Sequence, residues 1–171
     1  MAVKLNSELA AFFNTGDQPS ETEFGHLIDT IQPPLVTLAN DGSQPALSVA
    51  NHAFRTLVLP NVSANTTLIL PTPAANIKFH LVYLPGGDDG HYVHIQGASA
   101  DEFFFEGTIH HSDTNVGSGQ NMIPVHGGSD NDKIKITSAQ FAEIHLLGKN
   151  ATTWYVWGMT SGDTPTTVDN S

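Results

Sequence analysis

Ile77-Lys78-Phe79-His80-Leu81-Val82-Tyr83-Leu84 sets Ile77, Phe79, Leu81 and Tyr83 two residues apart. A period of two is that of a strand with one face in a core, whereas a helix repeats its apolar positions at three and four. Working outward, shorter stretches of the same character precede it at 35–38, 54–59 and 66–70. Others follow at 91–96, 102–110, 133–137, 143–147 and 153–159. Between them lie turn formers, among them Asn40-Asp41-Gly42-Ser43 and Pro85-Gly86-Gly87-Asp88-Asp89-Gly90, the latter predicted as a hairpin loop. The Gly-rich stretch 111–128 is predicted as a loop. About nine or ten short strands at even spacing, with no helical pattern between them, predict a mainly β fold. The expected architecture is an antiparallel β-sandwich, jelly-roll-like, over residues 35–160.

The first 34 residues read differently. Residues 7–13 suit one short helix. Ser20 and Glu23 then stand three apart, as in a capping box. Behind them Phe24, Leu27, Ile28 and Ile31 fall at i, i+3, i+4 and i+7, one apolar stripe of an amphipathic helix. Gln32-Pro33-Pro34 stops it. The sequence therefore predicts a short N-terminal helical arm over 1–34. After residue 160 the chain turns polar, and 161–171 is expected to be a flexible tail.

Composition excludes several functions. Of 171 residues only 13% are charged, about half the usual ~25%, and six basic against seventeen acidic side chains leave a net charge of −11. Such a chain is expected to bind neither nucleic acid nor an anionic membrane surface, both of which demand cations. The absence of Cys removes disulfides, thiolate metal sites and cysteine nucleophiles. No apolar run approaches the ~20 residues of a membrane span, and the opening Met-Ala-Val-Lys-Leu-Asn lacks the apolar core of a signal peptide.

Candidate chemistry is sparse. Nine histidines invite a metal site, yet His91 and His94 point to opposite faces of a strand, as do His110 and His111. His80, His126 and His145 stand alone in sequence. We expect no metal site and no cofactor, although the Asp130–Asp132 loop bears a partial likeness to a calcium-binding turn. Asp88-Asp89 and Asp101-Glu102 are acidic pairs in predicted turns. There is no Gly-x-Ser-x-Gly elbow and no phosphate-binding glycine loop, so no catalytic residue is assigned. In Trp154-Tyr155-Val156-Trp157, alternation sends Trp154 and Val156 one way and Tyr155 and Trp157 the other. One pair belongs to the core. The other, for which Tyr155 and Trp157 are the candidates, is left for intra-chain cover, a subunit contact or a carbohydrate platform.

Two parts of the chain, the opening and the strand-rich remainder, resemble a known group. Phe12-Phe13-Asn14-Thr15-Gly16-Asp17-Gln18-Pro19-Ser20-Glu21-Thr22-Glu23-Phe24, with Leu27-Ile28-Asp29, resembles a leader found on virion-associated structural proteins. Thr67-Leu68-Ile69-Leu70-Pro71, Ile77-Lys78-Phe79, 133–137 and Thr153-Trp154-Tyr155-Val156-Trp157-Gly158 resemble small β-sandwich virion proteins of tailed phages, especially of marine and cyanobacterial hosts. That resemblance implies a non-enzymatic capsid decoration (cement) protein, made in the host cytoplasm and carried on the virion surface. It also implies the major capsid protein as partner, self-association as a homotrimer, and Phe24, Leu27, Ile28 and Ile31 as subunit or capsid contacts. The alternative is a tail or fibre module that binds host-surface glycans through Tyr155 and Trp157. A third class is a metal-dependent β-barrel enzyme.

Overall fold

The computed structural model describes residues 20–31, 35–43, 46–85, 90–99, 102–114, 120–126, 132–137 and 139–169. The predicted helix at 7–13 lies outside them. Helix α1 spans Glu21–Ile31, and its start is the predicted capping box. Ser20 N donates to Glu23 Oε2 at 2.7 Å, and Glu23 N donates to Ser20 Oγ at 3.3 Å. Donation from the Ser20 backbone holds the Glu23 carboxyl below its ordinary range. Among the described residues no helix is long and apolar enough to cross a membrane.

The rest is a β-sandwich. Strands β1 (Val36–Thr37), β2 (Thr56–Pro60), β4 (Lys78–Leu84), β6 (Phe104–Asp113), β7 (Gln120–His126), β9 (Ala139–Gly148) and β10 (Thr153–Gly162) form a seven-stranded sheet in the order β1-β2-β4-β9-β10-β6-β7. Strands β3 (Thr66–Ile69), β5 (Tyr92–Gln96), β8 (Lys133–Thr137) and β11 (Thr167–Asp169) form the second sheet in the order β11-β8-β5-β3. A one-turn helix α2 (Val49–His52), capped by Ser48, precedes β2.

Period-two alternation places the core. Phe79, Leu81 and Tyr83 of β4, Ile144 and Leu146 of β9, and Trp154 and Val156 of β10 point inward from the large sheet. Leu68, Val93, Ile95, Ile134 and Ile136 meet them from the small one. At one end Trp154 makes T-shaped contacts with two phenylalanines, Phe79 with centroids 5.6 Å away and Phe103 at 6.4 Å, a favourable arrangement of ring quadrupoles.

Three features depart from the expected pattern. The pairing is mixed: β1 with β2, β2 with β4, β3 with β5, and β6 with β10 run parallel. A parallel neighbour needs a crossover instead of a tight turn. For β2 with β4 and for β3 with β5 the intervening strand in the opposite sheet supplies it, since β2, β3, β4 and β5 alternate between the sheets. β4 and β5 therefore lie in different sheets and are not the two arms of the predicted hairpin; residues 86–89 of that loop lie outside the described residues. Second, the predicted loop 111–128 contains the end of β6 and all of β7. Pro124 weakens the strand signal there, but β7 is a sheet edge, where a missing N–H is tolerated. Third, the polar tail continues β10 to Gly162 and then adds β11, which pairs with β8 from Thr167↔Lys135 to Asp169↔Lys133. Its three residues bury little apolar surface; the backbone ladder holds them.

On the outer face of the small sheet His94 stacks on Tyr92 at 4.3 Å, and its Nε2 is buried without a hydrogen-bond partner among the described residues. Burial, then the positive charges of Lys133 and Lys135, push its pKa down to about 4, against a weaker pull upward from Asp169. The unfolded chain takes up this proton near pH 6.5, so it binds more protons than the fold between there and pH 4. The associated stability is complete above pH 6.5 and is lost as pH falls towards 4. Partial exposure of the ring weakens the effect. In thermal melts at pH 7 and pH 4, His94→Gln should remove a few degrees of the wild-type loss.

Candidate binding face of the large sheet

The outward positions of the large sheet form a grid because paired residues on neighbouring strands share a face. One row runs Thr56, His80, His145, Trp157, Thr108, Pro124, each directly opposite the next. The row beside it runs Val58, Val82, Glu143, Met159, His110, Met122. On the other side Lys78, Leu147, Tyr155 and Glu106 align likewise.

Strands about 4.8 Å apart hold flat rings at stacking distance. His80 and His145 lie 4.3 Å apart with their planes 6° off parallel, and His145 and Trp157 lie 5.3 Å apart at 5°. Three rings thus form one stack across β4, β9 and β10. Below it the Glu143 carboxylate gathers both imidazoles: its Oε1 is 2.9 Å from His80 Nε2 and 3.1 Å from His145 Nε2. Donation from His80, followed by that from His145, holds the Glu143 carboxyl below its usual range. Thr56 Oγ1 lies 3.2 Å from His80 Nδ1 and fixes the ring from behind. Just beyond β9, Lys149 Nζ reaches Glu106 Oε2 of the third row at 2.6 Å and sits 4.9 Å over the Tyr155 ring. The bond to Glu106 is the main cause of its raised pKa.

The face is also apolar. Trp157 is 46% exposed, Met159 44%, Met122 69% and Tyr155 37%. Two shallow grooves flank the His145–Trp157 wall. One of ≈ 370 Å³ is lined by Arg55, Thr56, Lys78 and His80, and another of ≈ 420 Å³ by His110, Met122, Glu143 and Met159. Exposed large apolar side chains gathered on one face, with polar groups among them, are the ordinary mark of a contact surface.

Of the residues singled out from sequence, Tyr155 and Trp157 lie on this face, and Trp154 and Val156 lie in the core. Phe24 and Ile28 of α1 are 54% and 50% exposed, and Leu27 is half-buried. The Ile31 side chain lies outside the described residues, as do Asp88, Asp89, Asp101 and Asp130, whereas Asp132 is buried. Glu102 is a turn clamp, accepting from Ala98 N at 2.8 Å and Thr72 Oγ1 at 3.0 Å. His110 and His111 diverge, the second being buried with Nδ1 2.9 Å from Thr160 Oγ1. The sequence did not reveal that His80, Glu143 and His145 meet. Glu143-x-His145 at period two was a signal for two of the three members; His80 joins them only through the β4–β9 register.

No family model, curated protein or solved structure matches this chain.

Proposed function

We propose that the protein is a non-catalytic virion structural module of the decoration type, which seats the outer face of its large sheet on a coat lattice. The observation that carries the docking role is the exposed Tyr155–Trp157–Met159–Met122 surface on a sheet of seven strands. Large rings on rigid strands lose little side-chain entropy on binding and desolvate well, so they make strong anchors. Phe24 and Ile28 of α1 are exposed as well and offer a neighbour a second apolar surface. The sequence resemblance directs the partner to a capsid and the assembly to a trimer. Many identical copies allow each contact to be weak.

The test is sedimentation of the protein with undecorated tailed-phage capsids, with capsid melting followed in parallel. The expected result is saturation at a ratio fixed to the coat subunit and a higher capsid melting temperature. Glycan binding that leaves capsid stability unchanged would replace this reading with a receptor-binding module. The grooves beside Trp157, which set Glu143, His110 and Lys78 close to an exposed ring, favour that alternative.

A further inference from the structure

We propose that His80, Glu143 and His145 form a surface site for one divalent transition-metal ion of the zinc class. Two imidazole nitrogens and one carboxylate oxygen are the donor set of an open three-ligand site, with further positions left for water or a partner's donor. Imidazole selects zinc, nickel or copper over calcium and magnesium, which prefer all-oxygen shells. All three donor atoms lie within 4.8 Å of one another. Metal–ligand bonds of about 2.0–2.1 Å in a tetrahedron put neighbouring donors roughly 3.3 Å apart. The two nitrogen–oxygen separations, 2.9 and 3.1 Å, need to open by only a few tenths of an ångström.

The protons also balance. As an imidazole with one proton on Nε2, each ring can donate to Glu143 Oε1 at the observed distances. On binding, each keeps its single proton and moves it to Nδ1, which frees Nε2 for the ion. For His80 the hydroxyl of Thr56 reverses its role, donating to Nδ1 before and accepting from it after, and so supports the ligand from behind. The required movement is a pivot of the two stacked rings, whose lone pairs must converge. With side chains 31% exposed and grooves on both sides, the rings have that freedom. A sheet holds the two histidines opposite each other and Glu143 two residues along β9, so the set is organised before the ion arrives. This site stands independently of the docking role proposed above, although a bound ion would lie within that face.

Titration of the full chain with Zn2+ by calorimetry should show one ion per chain, with a dissociation constant on the order of micromolar, and no displacement by excess Mg2+. His80→Gln and Glu143→Ala should each weaken binding at least about tenfold, and His94→Gln should leave it unchanged. Location is read separately. Cu2+ should quench the fluorescence of Trp157, whose ring stacks on His145, and Trp157→Phe should abolish most of that quenching. In wild-type protein, Zn2+ should shift the imidazole 15N resonances of His80 and His145 before those of any other histidine. No binding by the wild type, unchanged binding in both ligand variants, or earlier shifts at other histidines would overturn the site.

Discussion

Gly107→Ala is expected to cost about 2–6 kcal/mol and to lower the melting temperature by roughly 5–20 °C. Gly107 lies mid-way along β6 with φ +147, a conformation that side chains rarely adopt. A Cβ built there would stand 1.8 Å from the carbonyl oxygen of Val156, its partner in the β6–β10 ladder. Neither side has a soft way out. The oxygen belongs to the backbone of β10, which is bonded to β9 on its other edge, and Val156 itself is buried. Accommodation means turning the residue to negative φ, which breaks a parallel ladder of ten paired residues from Thr153↔Phe104 to Gly162↔Asp113. Differential scanning calorimetry checks the melting temperature. Amide exchange checks the mechanism: β6 and β7 should lose protection more than the small sheet does. A variant that melted like the wild type would show that β6 takes ordinary extended geometry at this position.

The elements that the sequence made legible are those whose cause is local. The capping box between Ser20 and Glu23 is a contact across three residues, and it forms as read. Strand β8 begins and ends where Lys133–Thr137 predicts, because alternation and flanking turn residues are local too. What alternation cannot reveal is where a strand goes next. A chain that turns back within one sheet and a chain that crosses to the other show the same period of two, so the parallel pairs of β2 with β4 and β6 with β10 left no mark in the sequence. Edge strands hid for a different reason. An edge tolerates what a central strand does not, so β7 carries a proline and β11 carries hardly any hydrophobic residue, and both resemble loops in composition.

The candidate site divides along the same line. Trp157 and Tyr155 were legible as the outer half of an alternating run. Glu143 and His145 share a face for the same reason. His80 comes from 63 residues away, and only the β4–β9 register brings it opposite His145. Among nine histidines scattered through the chain, nothing in sequence distinguishes His80 from His52, which instead folds back on the backbone N–H of Ser48 at 3.0 Å. The ring stack of His80, His145 and Trp157 is thus a consequence of tertiary register, and so is the carboxylate that gathers the two imidazoles.

Trp154→Ala and Trp157→Ala should separate folding from recognition, since the two residues lie on one strand and face opposite ways. Trp154 is fully buried and packs in T-shaped contact with Phe79 and Phe103. Its truncation leaves a cavity walled by side chains already in close contact, and a loss of about 3–5 kcal/mol follows. At ~2–4 °C per kcal/mol for a chain of this size, that is a fall of roughly 6–20 °C in melting temperature. Trp157 is 46% exposed and stacks on His145. Its truncation gives up a surface stack worth about 0.5–1.5 kcal/mol, so the fold should melt within a few degrees of wild type. The order reverses in binding. An exposed aromatic at the centre of a contact face carries a disproportionate share of the affinity, so Trp157→Ala should lower affinity for the partner at least about tenfold, while Trp154→Ala, assayed below its own melting temperature, should retain it. Calorimetric melts and partner titrations on both variants decide the matter. If Trp157→Ala kept full affinity, the contact surface would lie elsewhere, with Phe24 and Ile28 of α1 the next residues to replace.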